Sequence, residues 1–263
     1  MPPRPANSTT APRVRPVPAV TRAIAILRLL GRSRTPMGVK AIALALKLVP
    51  STCLHILRAL VSEQLVRVDP TTKHYSLGTG MLPLARAVLV SSDFASLVQP
   101  RLDDLSKRYG VTAIGVEVPD LDHMIVVTLS RTQAPVRLHV DVGSRFPALI
   151  SATGRCVAAF SEHPWSEIEK RFRSLRWQNA PDYESWRKEI DGVRRHGFSI
   201  DRGNYIAGVA IVAVPVLNAR RTITHTIAAV GLVSQLDRAT SVRLAHDMRV
   251  AAETVTSQLV SPA

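Results

Sequence analysis

The residues best suited to chemistry in this chain are small polar and cationic ones clustered between positions 39 and 80. Ser51, Thr52, Leu54, His55 and Arg58 lie in PSTCLHILRAL, where Cys53, Ile56, Leu57 and Leu60 recur at helical spacing as an inward stripe. That phase turns two hydroxyls, an imidazole and a guanidinium outward together. Such donors read base edges in a DNA major groove, each good contact supplying about 1–3 kcal/mol of discrimination. Arg58 and His55 are the residues to read bases. Ser51 and Thr52, at the helix N-terminus, suit phosphate oxygens, with a plain N-cap as the alternative for Ser51. Lys73 and His74, at the tip of a hairpin pattern, suit a phosphate backbone or a minor groove.

The neighbouring sequence predicts the elements that must hold these groups. VTRAIAILRLLG reads as a first helix, with Ala23, Ile24, Leu27 and Leu30 inward, Thr21 as N-cap and Gly31 as the stop. A second helix runs from Val39 to Lys47, burying Ile42, Ala43 and Leu46. The turn Lys47 to Pro50 leads into the third, where Pro50 suits the first turn because its missing N–H costs nothing there. LVRV at 65–68 and KHYSL at 73–77 read as strands joined by the turn Asp69-Pro70-Thr71-Thr72. Two helices at a tight turn followed by a hairpin make a winged helix-turn-helix over 19–80, a device for reading double-stranded DNA.

Charge follows the same division. The 263-residue chain has a formal net charge of +14, and its first 80 residues hold 12 Lys+Arg against only Glu63 and Asp69. The remaining 22 Lys+Arg face 18 Asp+Glu, so a polyanion would meet the N-terminal third. No broad Lys/Arg face lies opposite Trp or Phe, which argues against a membrane surface. Residues 1–18, with six prolines and Arg4, Arg13 and Arg15, read as a disordered basic tail without a secretory apolar core. The longest apolar stretch, near Ala207 to Leu217, is too short for a bilayer and contains Pro215. Cys53 and Cys156 form no CxxC pair or metal set, so no metal or other cofactor is expected and the cytoplasm is the natural compartment.

Residues 81–92 read as a linker helix containing Pro83. Residues 93–263 read as an antiparallel sheet flanked by helices, so the whole chain is α+β. The expected helices cover 93–109, Thr153 to Phe160, the polar region Pro164 to His196, and 239–259. The expected strands cover 112–118, 123–130, 136–142, 198–202, 208–217 and 225–234. Asp120, Asp122 and His123 invite a metal, but their spacing suits a polar turn better. An enzyme is the rival class, yet the sequence has no nucleophile elbow, HExxH or phosphate-binding loop. A sensor acting through protein partners is the other rival.

Six segments in order resemble the IclR family of bacterial transcriptional regulators: TRAIAILRLL, STCLHILRAL, VRVDPTTKHYSLG, GSRFPALISATGR, RRHGFSIDRGNYIAGVAIVAVPV and TIAAVGLVS. The resemblance covers nearly everything from Ala19 onward. It implies a winged DNA-binding domain, a GAF-like effector domain over 93–263, and a homo-oligomer, either a dimer or, as is often so in the family, a tetramer of paired dimers. It also marks departures. The family usually has Arg at His55, Gly at Lys47, Gly at the wing tip where Lys73 stands, and an acidic pair where Gly203-Asn204 follow Asp201.

Carried over residue by residue, the family's effector site falls on Ala152, Thr153, Gly154, Asp201, Ile211, Gly231 and Val233. Ser151 and Thr153 also sit at an expected helix N-terminus, where free N–H groups and the helix dipole favour a carboxylate. A small organic acid is the expected effector. Apolar or empty Ile211, Gly231 and Val233 suit an aromatic or aliphatic acid better than a small hydrophilic one. The bland alternatives are a helix cap for Thr153, strand core for Ile211 and Val233, and a loop brace for Asp201. Arg155 could add charge to anion capture, whereas Arg145 reads as a surface cation and Cys156 as a small buried helix residue.

Overall fold

A computed structural model describes residues 17–90, 93–131 and 140–260 of the chain. These divide into two compact units between Val88 and Leu89. The expected tail lies outside the described residues as far as residue 16.

In the first unit, helices α1 (Pro18–Arg32), α2 (Val39–Ala45) and α3 (Pro50–Ser62) pack on strands β1 (Met37–Gly38), β2 (Val66–Val68) and β3 (His74–Leu77). The sheet order is β1-β3-β2, all antiparallel. Ile26, Leu30, Ile42, Ala43, Cys53, Leu57, Leu60, Val66 and Tyr75 form its core. Removing such side chains from water supplies about 25 cal/mol per Å² of apolar surface. The chain turns through 112° between α2 and α3, within the range of a helix-turn-helix.

Three local expectations need correction. α1 begins at Pro18, whose fixed φ and missing N–H suit the first turn, so Thr21 is already inside the helix and its hydroxyl donates to the Val17 carbonyl at 3.3 Å. The inward face turns on Ile26 and Leu30, while Ile24 is exposed and Gly31 lies within the helix. α2 ends at Ala45, because Lys47 is left-handed (φ 53°) and the Leu48 N–H returns to the Ala43 carbonyl at 2.8 Å.

Beyond β3, α4 (Met81–Val90) crosses the division between the units. The second unit is built on a six-stranded antiparallel sheet ordered β6-β5-β4-β9-β8-β7. Its strands are β4 (Thr112–Glu117), β5 (His123–Leu129), β6 (Arg145–Pro147), β7 (Ser199–Arg202), β8 (Val209–Leu217) and β9 (Ile223–Leu232). One face carries α6 (Ser151–Phe160), α7 (Trp165–Ser174) and α8 (Tyr183–His196) around Trp186, Ile190 and Leu149. The other carries α5 (Asp93–Tyr109) and α9 (Arg238–Val260) around Leu102, Leu244 and Met248. A sheet covered on both faces explains why β8 reads VAIVAVPVL without polar alternation.

The expected polar helical region 164–196 is two helices, broken before Asp182, whose carboxylate caps α8 by accepting the Ser185 N–H at 3.0 Å. Most of the strand expected at 136–142 lies outside the described residues, and 140–142 belong to no strand; pairing with β5 is made instead by β6. Among the described residues no single helix is long and apolar enough to cross a membrane.

Candidate nucleic-acid interface and ligand pocket

In the first unit, α3 presents Ser51, His55 and Arg58 as exposed side chains, spaced four and three residues apart on one face, with Thr52 and Leu54 half-buried beside them. Pro50 occupies the first helical position, and the cap, Val49, makes no side-chain bond. Ser51 is therefore inside the helix, and the N-cap alternative for it falls away. Two exposed apolar residues flank the same turn, Leu44 (83% exposed) and Val49 (64% exposed). Sequence reasoning passed over both, because Leu44 sits in the middle of an apolar run and only the helix phase turns it outward.

The wing is a turn built by one carboxylate. Asp69 accepts the N–H groups of Thr72 and Thr71 at 2.7 and 2.9 Å, and these bonds, Thr72's foremost, hold its carboxyl below the usual range. Lys73 follows in the left-handed region (φ 56°), exposed, and His74 fixes its own ring by a 2.8 Å bond between Nδ1 and the Thr72 carbonyl. At the base of the wing the chain passes so close to α3's end that a Cβ on Gly78 would lie 2.2 Å from the Gln64 carbonyl oxygen. Only glycine allows that approach.

In the second unit, a cavity of about 280 Å³ opens between the sheet and the N-terminus of α6. Its walls are apolar, from Ile114, Val116, Met124, Phe146, Ile211 and Val230 among others, and its polar groups are Ser151, Thr153 and Tyr205. Ser151 is left-handed (φ 59°) and Thr153 is 2% exposed, with no hydrogen-bond partner for its hydroxyl among the described residues. A strained residue and an unpartnered hydroxyl at a helix N-terminus are features of ligand sites.

The carried-over positions divide. Ser151, Thr153 and Ile211 line the cavity; Ala152, Gly154, Asp201, Gly231 and Val233 do not. Strand parity separates the last two. Ile211 pairs with Val230, so Val230 and Ala228 share its face, whereas Gly231 points the opposite way, toward Leu236 and Val111, and Val233 packs with that same opposite core. Gly154 faces backbone, since a Cβ there would lie 1.9 Å from the Leu149 carbonyl carbon. The signal that could have found Val230 and Ala228 is this period of two, applied once Ile211 is placed.

Asp201, 1% exposed, pairs in register with Ile211 but does not itself line the cavity. Its Oδ1 accepts the Asn204 N–H at 2.8 Å, and its Oδ2 lies 3.7 Å from Nη1 of the equally buried Arg155. Arg155 also donates to the Ser151 carbonyl (3.1 Å), the Asn204 amide oxygen (3.1 Å) and the Glu189 carboxylate. Arg155 thus spends its charge within the protein and does not line the cavity. Asn204, standing where the resemblance leads one to expect an acid, still supplies an acceptor for the guanidinium. Burial pushes the Cys156 thiol up to about 12, which leaves it inert. Asp120 accepts the N–H groups of Asp122 and His123 at 2.8 and 3.0 Å, as a polar turn requires.

Comparison with known proteins gives matches along nearly the whole chain. Residues 19–70 match the IclR helix-turn-helix domain, and residues 86–257 match the C-terminal domain of the bacterial transcriptional regulator IclR. The chain is 28% identical over 248 residues to a glycerol operon regulatory protein of Streptomyces griseus, covering 93% of this chain and 97% of that one. It is 24% identical to the DNA-binding transcriptional repressor YiaJ of Escherichia coli, covering 80% and 76%. Among solved structures, an IclR transcriptional regulator from Alicyclobacillus acidocaldarius superposes with a TM-score of 0.82 at 27% identity, covering 92% and 99%. Pseudomonas aeruginosa HmgR shares the fold, with a TM-score of 0.71 at 22% identity, covering 93% and 100%.

Proposed function

The chain belongs to the IclR family of transcriptional regulators, and from that premise we propose that it controls a catabolic operon in response to a small aromatic or aliphatic acid. The observation that carries this reading is the apolar cavity at the N-terminus of α6. An apolar cavity of about 150 Å³ is enough for benzene, so 280 Å³ suits a substituted ring or a medium-length chain. The α6 N–H groups, with Ser151 and Thr153, would receive the carboxylate. A polyol such as glycerol would leave its hydroxyls unpaired against Ile114, Val116 and Met124, at about 1–3 kcal/mol each. The regulatory protein of S. griseus is therefore a guide to the fold of the response more than to its ligand.

In the first unit, His55 and Arg58 read bases, Ser51, Thr52, Lys73 and His74 hold phosphate, and Leu54, with Leu44 and Val49 beside it, offers apolar contact to thymine methyls. The operator is read by a homo-oligomer. What supports this is α4, MLPLARAVLV, whose Leu82 and Leu84 are 66% and 57% exposed. A helix this apolar is stable in water only against a partner, and a second copy supplies the same surface by two-fold symmetry.

Calorimetric titration with benzoate, hexanoate, glyoxylate and glycerol tests the ligand class. Benzoate or hexanoate should bind, and Thr153→Val should weaken either. Binding confined to glyoxylate or glycerol would refute the assignment.

A further inference from the structure

We infer that the second unit carries a further ligand site, for an organic polyanion, in the groove between the end of α8, the β8–β9 turn and the C-terminal half of α9. This groove, about 600 Å³, is larger than the cavity beside Ser151, and its floor is apolar, from Phe160, Pro215, Leu217 and Ala252. Its polar rim carries Arg194, Arg195, Arg221 and Arg249 with His196, against one carboxylate, Glu253.

The four arginines are not equivalent. Arg194 pairs with Asp191 at 3.0 Å and donates to the Ala159 carbonyl at 3.0 Å. Arg249 donates to the His196 carbonyl at 3.3 Å, lies 3.6 Å from Glu253, and lays its stem against Gly197. Arg194 is thus satisfied as a helix-terminal cation, whereas Arg249 docks α9 on α8 with its buried Nε left without a hydrogen-bond partner among the described residues. Arg195 and Arg221 have no side-chain partner among the described residues, and both are exposed on the groove rim.

Arg221 holds a conformation that its residue type disfavours. The hairpin turn is fixed by Asn218, whose N–H bonds the Thr222 carbonyl at 2.9 Å and whose Oδ1 accepts from Arg220 and Thr222 at 2.9 and 3.0 Å. This places residue 221 in the left-handed region (φ 61°), the position of a short hairpin loop that glycine fills without strain. An arginine there accepts backbone strain and leaves its guanidinium unpaired beside an apolar floor. A planar guanidinium matches carboxylate and phosphate oxygens two at a time, so the groove fits a molecule with a carbon framework and at least two anionic groups. The groove lies at the opposite end of β8 and of α6 from the first cavity: Ile211 and Ser151 are at one end, Leu217 and Phe160 at the other.

Citrate and ADP, titrated separately into the full-length protein at low salt, separate carboxylate from phosphate recognition. At least one should bind saturably, and Arg195→Gln or Arg221→Gly should each weaken it about tenfold or more. Arg221→Gly suits the left-handed turn, so it removes the charge without endangering the fold, which a thermal melt checks. Thr153→Val should leave this binding unchanged. The inference is overturned if neither probe saturates, if binding ignores both arginine substitutions, or if Thr153→Val abolishes it. It is equally overturned if the two substitutions weaken operator binding while citrate and ADP bind as before.

Discussion

Two lysines show how a single residue can trade stability for charge. Lys47, in the turn between α2 and α3, and Lys73, at the wing tip, are both left-handed, at φ 53° and 56°. Both stand where the resemblance leads one to expect glycine, and where a left-handed backbone favours it, so lysine adds a cation at the cost of strain. Lys47→Gly and Lys73→Gly should each stabilise the fold by about 0.5 kcal/mol in urea unfolding, relief of the left-handed strain outweighing the added freedom of the unfolded chain. Each should also weaken operator binding and lower its salt dependence. A loss of stability in both variants would contradict the strain. Arg58→Ala is different in kind: it should narrow the gap between operator and random DNA by about 1–3 kcal/mol, whereas Lys73→Ala should weaken both alike. The outward side chains of α3 were legible because four apolar residues fix the helix phase. Leu44 was not, since nothing in AIALALKL says which leucine faces water.

At the scale of elements, Arg155 ties the start of α6 to the end of β7 and the loop after it. It bonds the strained Ser151 carbonyl and Asn204, and it faces Asp201 across 3.7 Å, both charges being 1% exposed. Arg155→Met strands the Asp201 carboxylate and should cost about 3–5 kcal/mol. Glu189→Gln should cost much less, because that carboxylate is 51% exposed. Equal losses in the two variants would mean that the buried pair is not what holds the loop. The sheet holds a second test in His225 of β9, which stacks on Phe94 with ring centroids 4.1 Å apart. Burial pushes its imidazole down from 6.5 to about 4. Above pH 6.5 it is neutral in both folded and unfolded chains; below that the unfolded chain takes the proton first. Stability should therefore fall as pH drops from 6.5 toward 4, by up to about 3 kcal/mol, relative to His225→Phe. An unchanged difference between the two proteins from pH 7.5 to 4.5 would contradict that burial. Most of the order of strands and helices was legible in the second unit, because turns and apolar runs alternate clearly, but the three-residue β6 and the break between α7 and α8 were not. The cavity wall was only partly so. Ser151, Thr153 and Ile211, expected from helix position and resemblance, line the cavity, whereas Gly231 and Val233 lie on the opposite face of the sheet and Asp201 faces Arg155.

At the scale of the molecule, a basic first unit beside a near-neutral second unit leads one to expect a polyanion at the first and the proposed small ligands at the second. The exposed apolar α4 makes self-association the expectation: sedimentation should give a dimer or larger assembly, and Leu82→Glu with Leu84→Glu should reduce it to monomer. A monomeric wild type would contradict that reading. Such an assembly would read half-sites related by two-fold symmetry and spaced by whole turns of DNA. The coupling expected between the two units is that an apolar acid held at α6 changes how the chain holds its operator. It is tested most directly by fluorescence anisotropy on the chain's own upstream DNA, titrated with and without benzoate or hexanoate at several salt concentrations. The expected result is operator binding that exceeds random DNA, weakens steeply with salt, and shifts with the acid in wild type but not in Thr153→Val. Equal affinity for operator and random DNA, or an operator affinity indifferent to every acid that calorimetry finds bound, would contradict it.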